Sequence, residues 1–149
     1  MISKKTMSLR SYLQKLDQQG KLLHITRPIS KTYETAGVLK RLEPQPVLFE
    51  NLKESPFRVV GNLFCGKGPF SDYFGIHPSG IIAMMTRAID TPLSPPIATP
   101  SGNENGVPCQ EVVNFHPDLD HLPILYHCEG DGGNYISSGV FVAKHPQHG

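Results

Sequence analysis

Apolar positions near the start of the chain repeat at the spacing of an α-helix. They fall at i, i+3, i+4 and i+7, at Leu9, Tyr12, Leu13 and Leu16. This spacing places the four side chains on one helical face. Ser8 precedes the pattern as an N-cap residue, and Gly20 follows it where a helix commonly ends. We therefore predict a helix over about 8–19.

Two further helical patterns follow. The first covers 30–42, with Val38, Leu39 and Leu42 on its apolar face, and it ends before a proline. Gly37 weakens this helix by roughly 1 kcal/mol relative to Ala. The second runs from a Ser79 cap to Ile89, and its apolar positions are Ile81, Ile82, Met85 and Ile89.

Three short runs between the helices are predicted to be strands. The run 22–26 is of mixed character, whereas 47–49 and 58–64 are β-branched or aromatic runs bounded by Pro and Gly, which is the composition of buried strands. The last two runs lie about ten residues apart along the chain, so they are expected to pair. The order of elements predicts the α/β (α+β) class, with an N-terminal unit of helices packed on a small mixed sheet over 1–90.

A proline-rich stretch over 91–108 divides the chain. It contains five prolines with glycines and asparagines among them, so regular structure is excluded and a connector is expected. Beyond it, strands are predicted over 109–114 and 135–142. The remainder, 109–149, is too small to bury a core alone. It must pack on the first unit, on another chain, or on a continuation of this chain.

Charge and composition narrow the class of protein. The chain has 149 residues, a formal net charge of +1 and 18% charged residues, which is globular composition without the basic stripe of a nucleic-acid binder. No apolar run is long enough to span a membrane, and the start lacks the apolar core of a signal peptide. A cytoplasmic protein is expected. The three cysteines are widely spaced, which predicts reduced thiols.

A group of metal-ligand residue types lies within sixteen positions, at His116, Asp118, Asp120, His121, His127, Cys128 and Asp131. A closed zinc site uses two close pairs around a structured loop, and prolines interrupt this run instead. Turn and capping roles are therefore expected. His127 and Cys128 are neighbours that point to opposite faces of a strand, which argues against a thiol–imidazole pair.

Two glycine-rich stretches resemble parts of phosphate loops. Gly66-Lys67-Gly68 lacks the full motif, and no helix is predicted to follow it at once. The stretch 130–133 precedes a predicted strand, so it lacks the helix dipole of a phosphate cradle. Asp131 within it is expected to be a turn residue.

Five segments in order resemble one family, the UbiD-type carboxy-lyases that use prenylated flavin mononucleotide (prenylated FMN). These are LRSYLQKLDQQGKLLHI, PVLFENLKESPFRVVGNLF, DLDHLPIL, GDGGNYISSG and KHPQHG. The resemblance covers about 9–149. It implies that 109–149 begins a flavin-binding split β-barrel, that a divalent metal accompanies the cofactor, and that the substrates are aromatic or α,β-unsaturated carboxylic acids.

One position carries over from the family as a cofactor-binding residue. Ser137 matches the hydroxyl residue of the family's strand that lines the flavin cavity. The alternative is a strand serine bonded to its neighbour. The family's Asn and catalytic Arg, and its acidic partners, match no residue up to Gly149, so the resemblance assigns no catalytic residue and no metal ligand to this chain.

Two functions remain open. In the first, the chain is the N-terminal part of a UbiD-like decarboxylase or carboxylase and is expected to be inactive, without bound flavin or metal, when alone. In the second, it is a non-catalytic accessory subunit or binding module of the same descent. In either case the apolar residues of 109–149 predict a homo-oligomer or a companion subunit.

Overall fold

The first helix has the predicted position and caps. The computed structural model describes residues 7–93, 111–137, 139–141, 143 and 146–147. Helix α1 covers Leu9–Gln18, and the Ser8 hydroxyl accepts the backbone N–H of Ser11 at 3.1 Å. Gly20 follows with φ 64°, a left-handed conformation that glycine adopts without strain.

Three short strands form a mixed sheet, as predicted. The strands are β1 (Leu23–Ile25), β2 (Val47–Phe49) and β3 (Val59–Gly61), in the order β1-β2-β3. β1 and β2 are parallel, whereas β2 and β3 are antiparallel. A parallel pair needs a crossover connection, and helix α2 (Glu34–Leu42) lies within it.

The sheet separates two hydrophobic clusters because successive strand residues point to opposite faces. On one side Leu48 packs with Tyr12 and Leu16 of α1 and with Leu22. On the other side Val47 and Phe49 pack with Ile29 and Leu52, against the apolar residues Val38, Leu39 and Leu42 of α2. The apolar face predicted for the second helix is therefore confirmed as a core face.

Helix α2 begins four residues later than predicted. Before it, Ile29 donates its backbone N–H to Asn51 O at 3.1 Å, and Tyr33 donates to Tyr126 O at 2.9 Å. Tyr33 has φ 61°, which is outside the right-handed helical region. Hydrogen bonds to distant segments thus replace the first helical turn.

The prediction that no helix follows Gly66-Lys67-Gly68 is wrong. Helix α3 spans Lys67–Phe74, with Gly66 as its N-cap residue. The two glycines and Pro69 resemble a loop in the sequence, but proline is tolerated in a first helical turn because its missing N–H has no intrahelical partner there. The signal that was missed is the aromatic series Phe70, Tyr73 and Phe74 at helical spacing.

Helix α4 (Ile81–Asp90) confirms the third predicted helix, although its cap differs. A short 3-10 helix over Pro78–Gly80 precedes it, and Gly80 rather than Ser79 is the N-cap residue. Its apolar residues Ile82 and Ile89 are exposed, at 74% and 75%.

The strands predicted after the connector are absent from the described residues. Residues 111–114, 135–137 and 139–141 are irregular, and Phe141 is 96% exposed. A strand needs a neighbouring strand to satisfy its backbone groups, and no described residue supplies one there. Most of the predicted connector, 94–108, lies outside the described residues, so the domain boundaries stay predictions. None of the helices in the described ranges is long and apolar enough to cross a bilayer.

Candidate functional site

Residues 119–126 lie against the N-terminal unit beside residues 31–33. Tyr126 accepts the backbone N–H of Tyr33 at 2.9 Å and donates its own N–H to Lys31 O at 3.1 Å. Thr32 and Tyr126 form an isolated parallel bridge. The second part of the chain therefore packs on the first unit here, which is one of the three arrangements considered from the sequence.

A buried lysine holds this contact together. Lys31 is only 7% exposed, and its Nζ donates to Asp120 O at 2.6 Å and to Leu122 O at 3.3 Å. These carbonyls belong to the short 3-10 helix Leu119–His121 and the residue after it. A buried ammonium is costly unless it is hydrogen-bonded or paired, and the two carbonyl groups provide that compensation.

The carboxylate of Glu54, in the N-terminal unit, stabilises the segment that carries Lys31. Glu54 accepts the Ser30 hydroxyl at 2.5 Å and the Lys31 backbone N–H at 2.9 Å. Burial acts to raise the pKa of Glu54, but these hydrogen bonds and the Lys31 charge outweigh it and lower the pKa. Glu54 is therefore ionised at neutral pH, where it complements the Lys31 ammonium.

Ser55 and a pair of tyrosine rings add two further contacts between the same segments. The buried Ser55 hydroxyl donates to His121 O at 2.7 Å. The rings of Tyr33 and Tyr126 lie 4.9 Å apart, within the range of favourable aromatic pairs. We call the contact between residues 30–33 and 54–55 on one side and 119–126 on the other the docking seam.

The glycine loop that follows the docking seam is cross-linked by hydrogen bonds. The Tyr126 hydroxyl donates to Asp131 O at 2.9 Å, and the Asn134 amide donates to Ile124 O at 2.7 Å. The Asp131 carboxylate accepts the Cys128 backbone N–H at 3.1 Å and the Cys128 thiol at 3.0 Å. The predicted turn role of Asp131 is confirmed.

These contacts decide the chemistry of Cys128. The hydrogen bond to Asp131 raises the pKa of the thiol, and the same bond lowers the pKa of Asp131. A thiol held in its protonated form is a poor nucleophile. The adjacent His127 contacts the Tyr135 ring at 5.5 Å instead, so the two side chains do not pair.

Ser137, the predicted cofactor-binding residue, lies in an exposed turn after this loop. Hydrogen bonds link Tyr126 and Cys128 to Asp131, and Asn134 to Ile124, and Ser137 follows them along the chain as an exposed residue. Among the described residues, no group of three His, Cys, Asp or Glu side chains is arranged to hold a metal ion.

The fit of this region to a flavin nucleotide is partial. The exposed side chains include the Ser137 hydroxyl and the Tyr135 ring, which suit the polar edge and the face of a flavin ring. Residues 118–137 contain no lysine or arginine, and a phosphate group is commonly held by such cations. The phosphate would need partners outside this segment.

Sequence reasoning missed the residues that place the loop. Lys31 and Ser55 belong to segments predicted as helix start and loop, and their partners are backbone carbonyls far along the chain. Carbonyl acceptors are present at every residue, so no residue type marks them in the sequence. The X-Pro steps near 117 and 123 indicate extended chain. They were the available sequence signal that this segment lies along another part of the protein.

Comparisons with known proteins agree with the order of these units. The model of the 3-octaprenyl-4-hydroxybenzoate carboxy-lyase N-terminal domain matches residues 13–89, and that of the Rift-related domain of the same carboxy-lyase matches 102–149. The anhydromevalonate phosphate decarboxylase of Methanosarcina mazei is 31% identical over 142 residues. That match covers 93% of this chain and 31% of the relative, so the chain spans about a third of the relative's length.

Solved structures show the same relationship. An evolved dimeric form of the UbiD-class enzyme HmfF from Pelotomaculum thermopropionicum, in complex with prenylated FMN, matches with a TM-score of 0.74 and 27% identity. The match covers 87% of this chain and 30% of that chain. Vanillic acid decarboxylase from Sedimentibacter hydroxybenzoicus, at 23% identity and a TM-score of 0.69, shares the fold over 90% of this chain and 30% of its own. The chain belongs to the UbiD family of carboxy-lyases.

Proposed function

We propose that this chain is the N-terminal part of a decarboxylase that acts with prenylated FMN on an aromatic or α,β-unsaturated carboxylic acid. The observation that carries the proposal is the match of both family domains in order, over 13–89 and 102–149. The likeness to a flavin-bound UbiD-class enzyme over 87% of this chain supports the choice of cofactor.

The role of this chain in that enzyme is to position one wall of the flavin site. The docking seam fixes residues 119–126 on a rigid unit, and the cross-linked loop then presents Ser137. We assign to the Ser137 hydroxyl a hydrogen bond to the cofactor. When bound, the prenylated flavin would supply the electron sink for loss of carbon dioxide. The phosphate and a divalent metal are held by residues outside 118–137.

A chimera tests the activity directly. Residues 1–149 replace the matching third of the Methanosarcina mazei decarboxylase, and the purified chimera is loaded with prenylated FMN. We expect retained flavin and release of carbon dioxide from anhydromevalonate phosphate or from one of a panel of aromatic acids. A folded chimera that retains no flavin would contradict the proposal and favour a non-catalytic binding module.

The 149-residue chain alone provides the complementary test. Because 118–137 lacks a cation for the flavin phosphate, we expect gel filtration to separate the chain from prenylated FMN and no decarboxylation to occur. Stoichiometric flavin carried through the column would show that the phosphate site is already complete. In the chimera, Ser137→Ala should weaken flavin retention about tenfold, the loss of one hydrogen bond. Ser79→Ala, in the 3-10 helix before α4, serves as the control.

A further inference from the structure

A cleft lies beside the second hydrophobic cluster, and its lining residues Ile29, Glu34 and Lys53 border the docking seam. It has a volume of about 640 Å³ and is bounded by α2 and by the chain around β1 and residue 53. Sites for small organic molecules commonly have volumes of 300 to 1,000 Å³. The cleft is therefore large enough for such a molecule.

The floor of the cleft is apolar. It is formed by Ile25 and Ile29 from the β1 side and by Val38 and Leu42 from α2. Ile29 is 2% exposed and belongs to the core, so the floor is continuous with rigid packing. A hydrocarbon group in the cleft would bury apolar surface on both sides.

The rim of the cleft carries an excess of positive charge. Arg27, Arg41 and Lys53 line it together with one carboxylate, Glu34. Glu34 is already engaged, since it accepts from Lys53 Nζ at 3.0 Å and from the Ser30 N–H at 2.7 Å. Within the described part of the chain, no carboxylate lies within 4.0 Å of the guanidinium of Arg27 or Arg41. The Arg27 charge helps to lower the pKa of Glu34, but neither guanidinium is in contact with a described carboxylate, so both can bind an anion.

A glycine within α2 keeps one wall of the cleft open. Gly37 lines the cleft, and a Cβ built at this position meets no atom within 4 Å. Glycine in a helix interior is less favourable than alanine, and here neither the backbone conformation nor close packing requires it. The absent side chain leaves this wall of the cleft open.

We propose that the cleft binds an organic anion with an apolar body, its carboxylate or phosphate group held by Arg27 and Arg41 and its hydrocarbon part resting on Ile25, Ile29, Val38 and Leu42. Guanidinium groups bind both kinds of head group through paired hydrogen bonds. The site is separate from the loop that carries Ser137, so it does not depend on the proposed decarboxylase activity.

The test is the binding of octanoate and octyl phosphate to the 149-residue chain, measured by calorimetry and located by amide chemical-shift changes. We expect at least one of the two to bind, with shifts at Gly37 and Val38. Octyltrimethylammonium and inorganic phosphate should bind at least tenfold more weakly, because one has the wrong charge and the other lacks an apolar body. Comparison of the two octyl compounds shows which head group the site prefers.

Three variants separate the charge from the shape of the cleft. Arg27→Gln and Arg41→Gln should each weaken binding about tenfold, the loss of a charge-assisted hydrogen bond, while Arg87→Gln on α4 is the control and should bind as the parent chain does. Gly37→Leu should fill the cleft and abolish binding without lowering Tm, since leucine is the better helix former.

The proposal would be overturned if the folded parent chain bound neither octyl anion, if octyltrimethylammonium bound equally well, or if Gly37→Leu bound fully. Loss of binding in Arg87→Gln to the same degree as in Arg41→Gln would also overturn it, because it would show attraction to net charge rather than to this cleft.

Discussion

The two parts of the chain use similar apolar residues with opposite results. In the N-terminal unit, Val47 and Phe49 are fully buried between the sheet and α2. In the second part, Val112 and Phe141 are exposed, at 84% and 96%. The difference lies in the available partners, because a strand residue is buried only when another element covers its face. An apolar pattern therefore shows that an element needs a packing partner, but the partner is encoded in another part of the sequence.

The largest expected effect comes from opening the covered core. Phe49→Ala should destabilise the fold by about 3–5 kcal/mol, the usual cost of truncating a buried phenylalanine. Phe115→Ala is the matched control in the second part, where the ring is exposed, and it should change stability by less than about 0.5 kcal/mol. Urea unfolding of both variants checks the prediction. Similar losses in the two would show that the second part is covered in solution.

A smaller effect is expected at the docking seam. Lys31→Met leaves Asp120 O and Leu122 O without their donor, so the contact should weaken by about 1–3 kcal/mol. Hydrogen exchange at the Tyr126 amide, which bonds to Lys31 O, should become faster while that of β2 stays slow. Lys40→Met is the control, since the Lys40 Nζ pairs with the exposed Glu43 and with no residue of the seam. Unchanged exchange at Tyr126 would mean that Lys31 does not hold the seam.

A surface histidine should give the N-terminal unit a modest dependence on pH. His24 lies between Glu50 at 2.7 Å and Asp17 at 3.0 Å, and the hydrogen bond to Glu50 is the main reason that its pKa is raised above the usual 6.5. Its stabilising contribution is therefore complete below pH 6.5 and is lost as the pH rises through the folded-state pKa. The difference in Tm between the parent chain and His24→Gln should shrink over that interval. A constant difference from pH 6 to pH 9 would contradict the assignment.

The smallest effect on the fold, and the clearest on association, is expected at Phe141. This ring belongs to the strand predicted over 135–142, but it is almost fully exposed. Phe141→Lys should therefore leave the unfolding transition within about 0.5 kcal/mol and raise the monomer fraction in sedimentation, because it removes apolar surface that favours association. A parent chain that sediments as a monomer at micromolar concentration would remove the basis for this prediction.

The sequence was sufficient for elements whose signals are local. The cap at Ser8, the turn at Gly20 and the apolar face of α2 all depend on residues within a few positions of one another. Helix α3 was missed because its glycines and proline indicated a loop, and the docking seam because it joins Lys31 to carbonyl groups 89 and 91 residues away. Of the candidate site, the turn at Asp131 was predictable, whereas the support beneath it was not, since backbone acceptors leave no mark in the sequence.

The long separation between the two sides of the docking seam also sets an order of folding. The sheet is complete with β3, which ends at Gly61, whereas the residues that dock begin at Leu119. During synthesis the chain grows from its N-terminus, so residues 30–33 and 54–55 emerge well before residues 119–126. Closing so long a loop has an entropic cost that a preformed surface helps to offset. The N-terminal unit therefore acts as a template, and the part of the chain that leads to Ser137 takes its shape from a surface that was built first.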